Sequence, residues 1–249
     1  TLTLDDVSAG THSSFEAAAA ATFAIVASGT VDLAKATLTN VDTLSLGTLA
    51  DLSATTLPTN SVTLSIAQVE AIGAADITLT HPDLKGTLNL TNLGSQEFKS
   101  TDLGAGVKLG TVTIAAGTTV LDADTVLKGG TVTVAAGSTL TLTADQFMAL
   151  TDLDGIAPVA PAKAAVINIT GLTQAHITAG FTLANVGNAT GTVSLASDVN
   201  LSGTTTNTTN LNGFGVALAE GQTLGLATPL QADGLKVVGA ANTTINLLF

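Results

Sequence analysis

The feature that most constrains this chain is a short motif that returns at a fixed distance. Gly29–Ala34 reads GTVDLA, Gly110–Ala115 reads GTVTIA and Gly191–Ala196 reads GTVSLA, eighty-one residues apart in both intervals. Two further anchors follow in the same order. One is SVTLSIAQVEAI from Ser61, TLTLTADQFMAL from Thr139 and QTLGLATPLQADGL from Gln222. The other is TLNLTNL from Thr87, VINITGL from Val166 and TTINLL from Thr243. A chain that repeats itself on this scale builds its core by stacking similar units. The anchors divide it into a partial leader (1–28), two full units (29–109 and 110–190) and a shortened third (191–249).

A shorter period lies inside the unit. GTVTIAAGTTVLDAD from Gly110 and GTVTVAAGSTLTLTAD from Gly130 are offset by twenty residues. In Thr131–Val134 and Thr139–Leu142 apolar residues alternate with Thr, so one face of an extended segment is apolar. Thr on the other face is β-branched and can hydrogen-bond its cross-strand neighbours. Strand alternation with a period near twenty is the length of one coil of a stacked solenoid. The expected fold is therefore mainly β, a repetitive parallel β-helix-like solenoid with short helical inserts; tandem β-sandwich modules are the alternative.

Gly137, Asn60 and Gly221 are expected at corners, where positive φ is cheap. Ala67–Ile72, Ala144–Leu150 and Pro229–Leu235 each have room for one or two helical turns. The leader segment Ser13–Ala27 reads as a longer Ala-rich helix, because Ala has the highest helix propensity. Ile156–Lys163, IAPVAPAK, reads as a surface loop.

Composition narrows the function classes. Net charge is −12, with seven Lys and no Arg, which leaves no basic surface for a phosphate backbone and argues against nucleic acid as a partner. There is no Cys, so disulfides and thiolate metal sites are out. The longest apolar run, Ala17–Ala27, is too short to span a bilayer and lacks the basic flank of a secretory signal. The chain opens on Thr and is expected to be a fragment or a processed product.

Gly/Thr/Ala/Leu-rich units such as TVTVAAGSTLTLTADQ and EGQTLGLATPLQADGLKVVGA, free of Cys and poor in Lys, resemble repetitive secreted bacterial surface proteins. These include S-layer proteins, biofilm matrix proteins and type-I-secreted adhesins. The resemblance implies an extracellular or cell-surface location, and copies of itself, other surface proteins or glycans as partners. The Gly-Gly-x-Gly-x-Asp calcium nonapeptide common in that group is missing, so calcium does not carry over from it.

Candidate chemistry is sparse. Asp122 with Asp124, and Asp152 with Asp154, place carboxylates two apart, a spacing that can contribute hard oxygen ligands to calcium. The competing reading is that these Asp cap turns and keep the surface soluble; Asp5-Asp6 and Asp145 carry the same ambiguity. His12, His81 and His176 lie far apart, and His176 falls at a strand end or in a short helix. Glu70 with Asp76, or Glu97 with Asp102, have the residue types of a glycosidase pair. Without Arg, Tyr or Trp there is little to hold a sugar beside them. Phe23, Phe98 and Phe181 precede the GTV anchors and read as core plugs. Asn89-Leu90-Thr91 and Asn188-Ala189-Thr190 match the N-glycosylation pattern, which has meaning only in a host with that machinery. The expected role is a non-catalytic structural protein that self-associates into a lattice or filament. The alternative is an adhesin stalk or binding module, and a polysaccharide-active β-helix enzyme comes third.

Overall fold

The computed structural model describes residues 2–6, 13–18, 23–47, 59–79, 85–94, 97–114, 117–150, 152–155, 164–183, 186, 189–201, 214–226 and 235–247. The protein is mainly β, its sheets are open, and every strand pairing described is parallel. Sandwich modules are built from antiparallel pairs, so the pairing does not match that alternative. The chain forms two compact units. One comprises Thr1–Leu93, Phe98–Thr113 and Val126–Gly130; the other comprises Gly94–Glu97, Ile114–Thr125 and Thr131–Phe249.

The first unit contains β1 (Leu2–Asp5), β2 (Ser14–Glu16), β3 (Ala24–Ser28), β4 (Thr30–Asp32), β5 (Thr37–Thr39), β6 (Thr43–Leu46) and β7 (Thr59–Ser65). Helix α1 (Ile66–Ile72), β8 (Ile77–Leu79), β9 (Lys85–Leu93) and β10 (Val107–Ile114) follow. From β1 to β9 successive strands change sheet, whereas β9 and β10 stay in one. The order β1-β3-β6-β8 forms one sheet, β4-β7-β9-β10 lie side by side in a second, and β2 pairs with β5. Each strand meets a partner one pass later: Ala24 faces Thr43, and Thr59 faces Lys85. Like therefore stacks on like. Val62 sits over Leu88 and Leu64 over Leu90, all four fully buried. Burial of such side chains stabilises by about 1.5–3 kcal/mol each.

The second unit contains β11 (Thr118–Val120), β12 (Thr131–Val134), β13 (Thr139–Thr143), α2 (Ala144–Ala149), β14 (Asp152–Gly155) and β15 (Val166–Leu172). Then come α3 (Gln174–Thr178), β16 (Thr190–Leu195), β17 (Val199–Asn200), β18 (Gly215–Leu218), β19 (Thr223–Leu226), β20 (Lys236–Gly239) and β21 (Thr244–Leu247). Its largest sheet runs β11-β13-β15-β16-β18-β20; β17-β19-β21 form another, and β12 pairs with β14. Thr118 faces Thr139, twenty-one residues on, one more than the twenty-residue offset between the two sequence copies. One apolar column runs through Leu142, Ile169, Val193, Val216 and Val237.

Three local expectations meet the structure differently. Ser13–Ala27 is not a helix where it is described: β2 and β3 occupy it, because Ile25, Val26 and Ala27 bury in sheet register and tertiary packing overrides Ala propensity. Asn60 is not a corner. It lies fully buried within β7, whereas Asn40, Asn92 and Asn242 take the positive φ, as Gly137 and Gly221 do. The helical segments 67–72 and 144–150 appear as α1 and α2. The expected loop 156–163, and 229–234 of the third helical segment, lie outside the described residues.

Candidate functional site: polar links between strands and the last pair of strands

The repeat anchors acquire a physical meaning in the contacts between neighbouring strands. In each GTV copy the Thr N–H donates to a side-chain oxygen from an earlier pass. Thr30 donates to Asp6 Oδ1 (2.8 Å), Thr111 to Asn89 Oδ1 (2.9 Å) and Thr192 to Asn168 Oδ1 (3.2 Å). Thr192 Oγ1 also donates to Asn168 Oδ1 (2.8 Å). The preceding Gly makes the approach possible. A Cβ on Gly29 would run into the Asp6 carboxylate, one on Gly110 into Asn89 and Thr87, and one on Gly191 into the Ile167 carbonyl. Asn89 and Asn168 belong to the third anchor, so that anchor supplies the acceptor and the first supplies the donor.

The second anchor works at the helical corners. Ser65 and Thr143 are N-caps in full capping boxes, with Gln68 and Gln146 three residues on. The Gln carboxamide oxygen accepts from the cap's own N–H, at 2.8 Å for Ser65 and 2.9 Å for Thr143. Its nitrogen crosses to the previous pass. Gln68 Nε2 donates to Leu33 O and Ala36 O, both at 2.8 Å, and Gln146 Nε2 to Asp122 O (2.6 Å) and Thr125 O (3.0 Å). Both Gln side chains are buried, and their loss would strand two carbonyls each.

His176 takes the same place in α3. Thr173 N–H donates to His176 Nδ1 (3.0 Å), which puts the neutral ring's proton on Nε2, and Nε2 donates to Asp145 Oδ1 (3.0 Å). The sequence carries this role as Thr173-x-x-His176 beside Ser65-x-x-Gln68 and Thr143-x-x-Gln146. His12 and His81 lie outside the described residues.

The candidate calcium carboxylates are placed as follows. Asp122 and Asp124 are exposed in a turn closed by the Thr125 N–H donating to Asp122 O (3.0 Å). Asp152 and Asp154 lie in β14, where their backbone faces Thr131 and Thr133 of β12. Among the described residues no three His, Asp or Glu side chains gather as a metal site would need. Several other carboxylates link strands or loops: Asp42 Oδ2 accepts from Phe23 N–H (2.6 Å) and Asp198 Oδ1 from Thr223 N–H (2.7 Å). Glu70, Asp76, Glu97 and Asp102 are all exposed. Phe98 and Phe181 are buried as plugs, and Phe181 packs on Phe147 at 5.3 Å between ring centroids; Phe23 is half-buried. Asn89, half-buried in β9, also donates to Ser61 Oγ (2.8 Å), so both ends of its carboxamide are engaged.

Two surfaces stand out among the described residues. In the first unit a cleft of about 240 Å³ is lined by Ser100, Thr101, Lys108 and Lys128 among others. At β20 and β21, each the outermost strand of its sheet, large apolar side chains come to the surface: Val238 is 69% exposed, Ile245 45% and Leu247 58%. No helix among the described residues is long and apolar enough to cross a membrane. No protein-family model, no curated protein and no solved structure matches this chain.

Proposed function

We propose that the chain is a parallel β-solenoid that serves as a non-catalytic structural element of a bacterial cell surface or extracellular matrix, associating with its own kind into a lattice or filament. One observation carries the reading: the polar side chains that would equip a catalytic site are spent between successive passes. Asp6, Asn89 and Asn168 bind backbone N–H groups of the next strand, and Gln68 and Gln146 bind carbonyls of the previous loop. Such a chain holds itself in register and leaves its activity to its surfaces. The net charge of −12 keeps isolated copies apart until salt or a bound cation screens it.

Light scattering and electron microscopy of the same sample, in chelator and then in millimolar calcium, test this. Regular filaments or sheets are the expected result. Growth that needs calcium would assign ligand roles to Asp122, Asp124, Asp152 and Asp154. A monomer under every condition would overturn self-association. The second reading, an adhesin stalk or glycan-binding module, is favoured by the cleft holding Lys108 and Lys128, which suits an acidic sugar. A glycan array would report it.

A further inference from the structure

Resting on the glycan-binding reading, we propose that the cleft of the first unit seats a single acidic sugar residue of a glycan, with Lys108 and Lys128 holding its anionic group and Val107 and Leu109 lying against its ring. The chain has nineteen acids and only seven Lys, yet two of those Lys line this one cleft. Both are exposed, and neither ammonium has a partner among the described residues. No carboxylate stands among the described residues that line it. In a protein of net charge −12, an unneutralised pair of cations is a place where an anion is held rather than repelled.

The cleft is formed before any ligand arrives. The Ser100 N–H donates to Val126 O (3.1 Å) and its Oγ to Lys128 O (3.4 Å), which ties the turn Ser100–Asp102 to the segment that carries Lys128. The Val107 N–H donates to Gly104 O (3.1 Å) where β10 begins. Alternation along β10 then buries Val107 and Leu109, at 9% and 6% exposed, and leaves Lys108 in solvent. All of these residues belong to the first unit.

The lining groups describe their ligand. Two ammonium groups call for a negative charge. The hydroxyls of Ser100 and Thr101 suit hydroxyl partners, and Thr101 Oγ1 has none among the described residues. The uncovered edges of Val107 and Leu109 suit the C–H face of a ring. An inorganic ion would use only the lysines; an acidic sugar uses all three kinds of group. At about 240 Å³ the cleft is smaller than the roughly 300–1,000 Å³ of sites that enclose drug-sized ligands, so it takes one ring and leaves the rest of the glycan in solvent. A carboxylate and a sulfate ester satisfy the lysines alike.

Calorimetry on the protein at low salt, with tri-galacturonate, its methyl ester and a monosulfated disaccharide as probes, tests this. Binding of an acidic probe and not of the neutral ester is expected, and the acid that binds names the anionic group. Lys108→Gln/Lys128→Gln is expected to weaken that binding about tenfold or more. Lys35→Gln/Lys236→Gln, which removes the same charge from two other exposed positions, is expected to leave it unchanged. Both variants keep the wild-type thermal midpoint as evidence of folding, since only exposed side chains change. Equal losses in the two variants would mean attraction to charge in general and would overturn the proposal. So would an ester that binds as tightly as the acid. If the wild type and the Lys108→Gln/Lys128→Gln variant bind an acidic or a neutral glycan equally, the cleft falls and glycan binding stands. If no probe binds and the glycan array is blank, both fall.

Discussion

The strand pair β13–β15 and the strand pair β19–β21 are built from the same two sequence anchors and meet opposite fates. In the first, Leu140 and Leu142 face Ile167 and Ile169, and all four are at most 2% exposed. In the second, Leu224 and Leu226 are as deeply buried, but Ile245 and Leu247 above them stand in solvent. The pattern of residues thus sets register and facing, whereas burial is a property of having a neighbour on each side. A repeat of this kind fills its core only by adding another strand.

The sharpest way to break the contrast is at one leucine from each pair of strands. Leu142→Ala is expected to cost about 2–5 kcal/mol in urea unfolding, and Leu247→Ala less than about 0.5 kcal/mol in the unassociated chain. Equal losses at both positions would mean that β21 is covered in solution. Next comes the corner link. Gln146→Ala leaves the carbonyls of Asp122 and Thr125 without their donor and is expected to cost about 1–3 kcal/mol, read as a lower urea midpoint at constant slope. A smaller effect separates two asparagines of the third anchor. Asn168→Ala is expected to cost about 1 kcal/mol, while Asn246→Ala leaves the monomer's midpoint unchanged. The least effect is expected from His176→Gln, within about 0.5 kcal/mol of wild type, because Gln at this position already works in α1 and α2. Nitrogen NMR of the wild type should show the neutral ring protonated on Nε2; a proton on Nδ1 would sink the assignment of His176 to the corner role.

Much of this was legible in the chain. The alternation in Thr131–Val134 and Thr139–Leu142 reads directly as strands with a buried Val/Leu face, since strand periodicity is local. The spacing of GTV marks a repeat, but not why Gly is needed, because the reason is an oxygen from a residue some twenty positions earlier. Asn60 reads as a turn residue by its type and lies buried in a strand, its Oδ1 accepting from the Gly29 N–H (3.1 Å). Asp6 and Asp145 read as solvated or ligating; both are exposed, and they also accept from the Thr30 N–H and from His176 Nε2. A side chain whose partner lies a full pass away leaves no mark in its own neighbourhood of the sequence. The Ala-rich leader misleads for a related reason: helix propensity is a weak local preference, and Ile25 and Val26 gain more by packing in β3.

The parallel ladder of the second unit also has a mechanical consequence. Pulled along the direction in which β13, β15, β16 and β18 succeed one another, its interfaces carry the load in series, each bearing the whole force. Such a rope parts at its weakest splice. Between β13 and β18 that is the β16–β18 interface, with three residue pairs in register against five between β13 and β15; β11–β13, at the edge of the same sheet, is equally short. Additional repeats would then extend reach and compliance while leaving the breaking force where that one junction puts it.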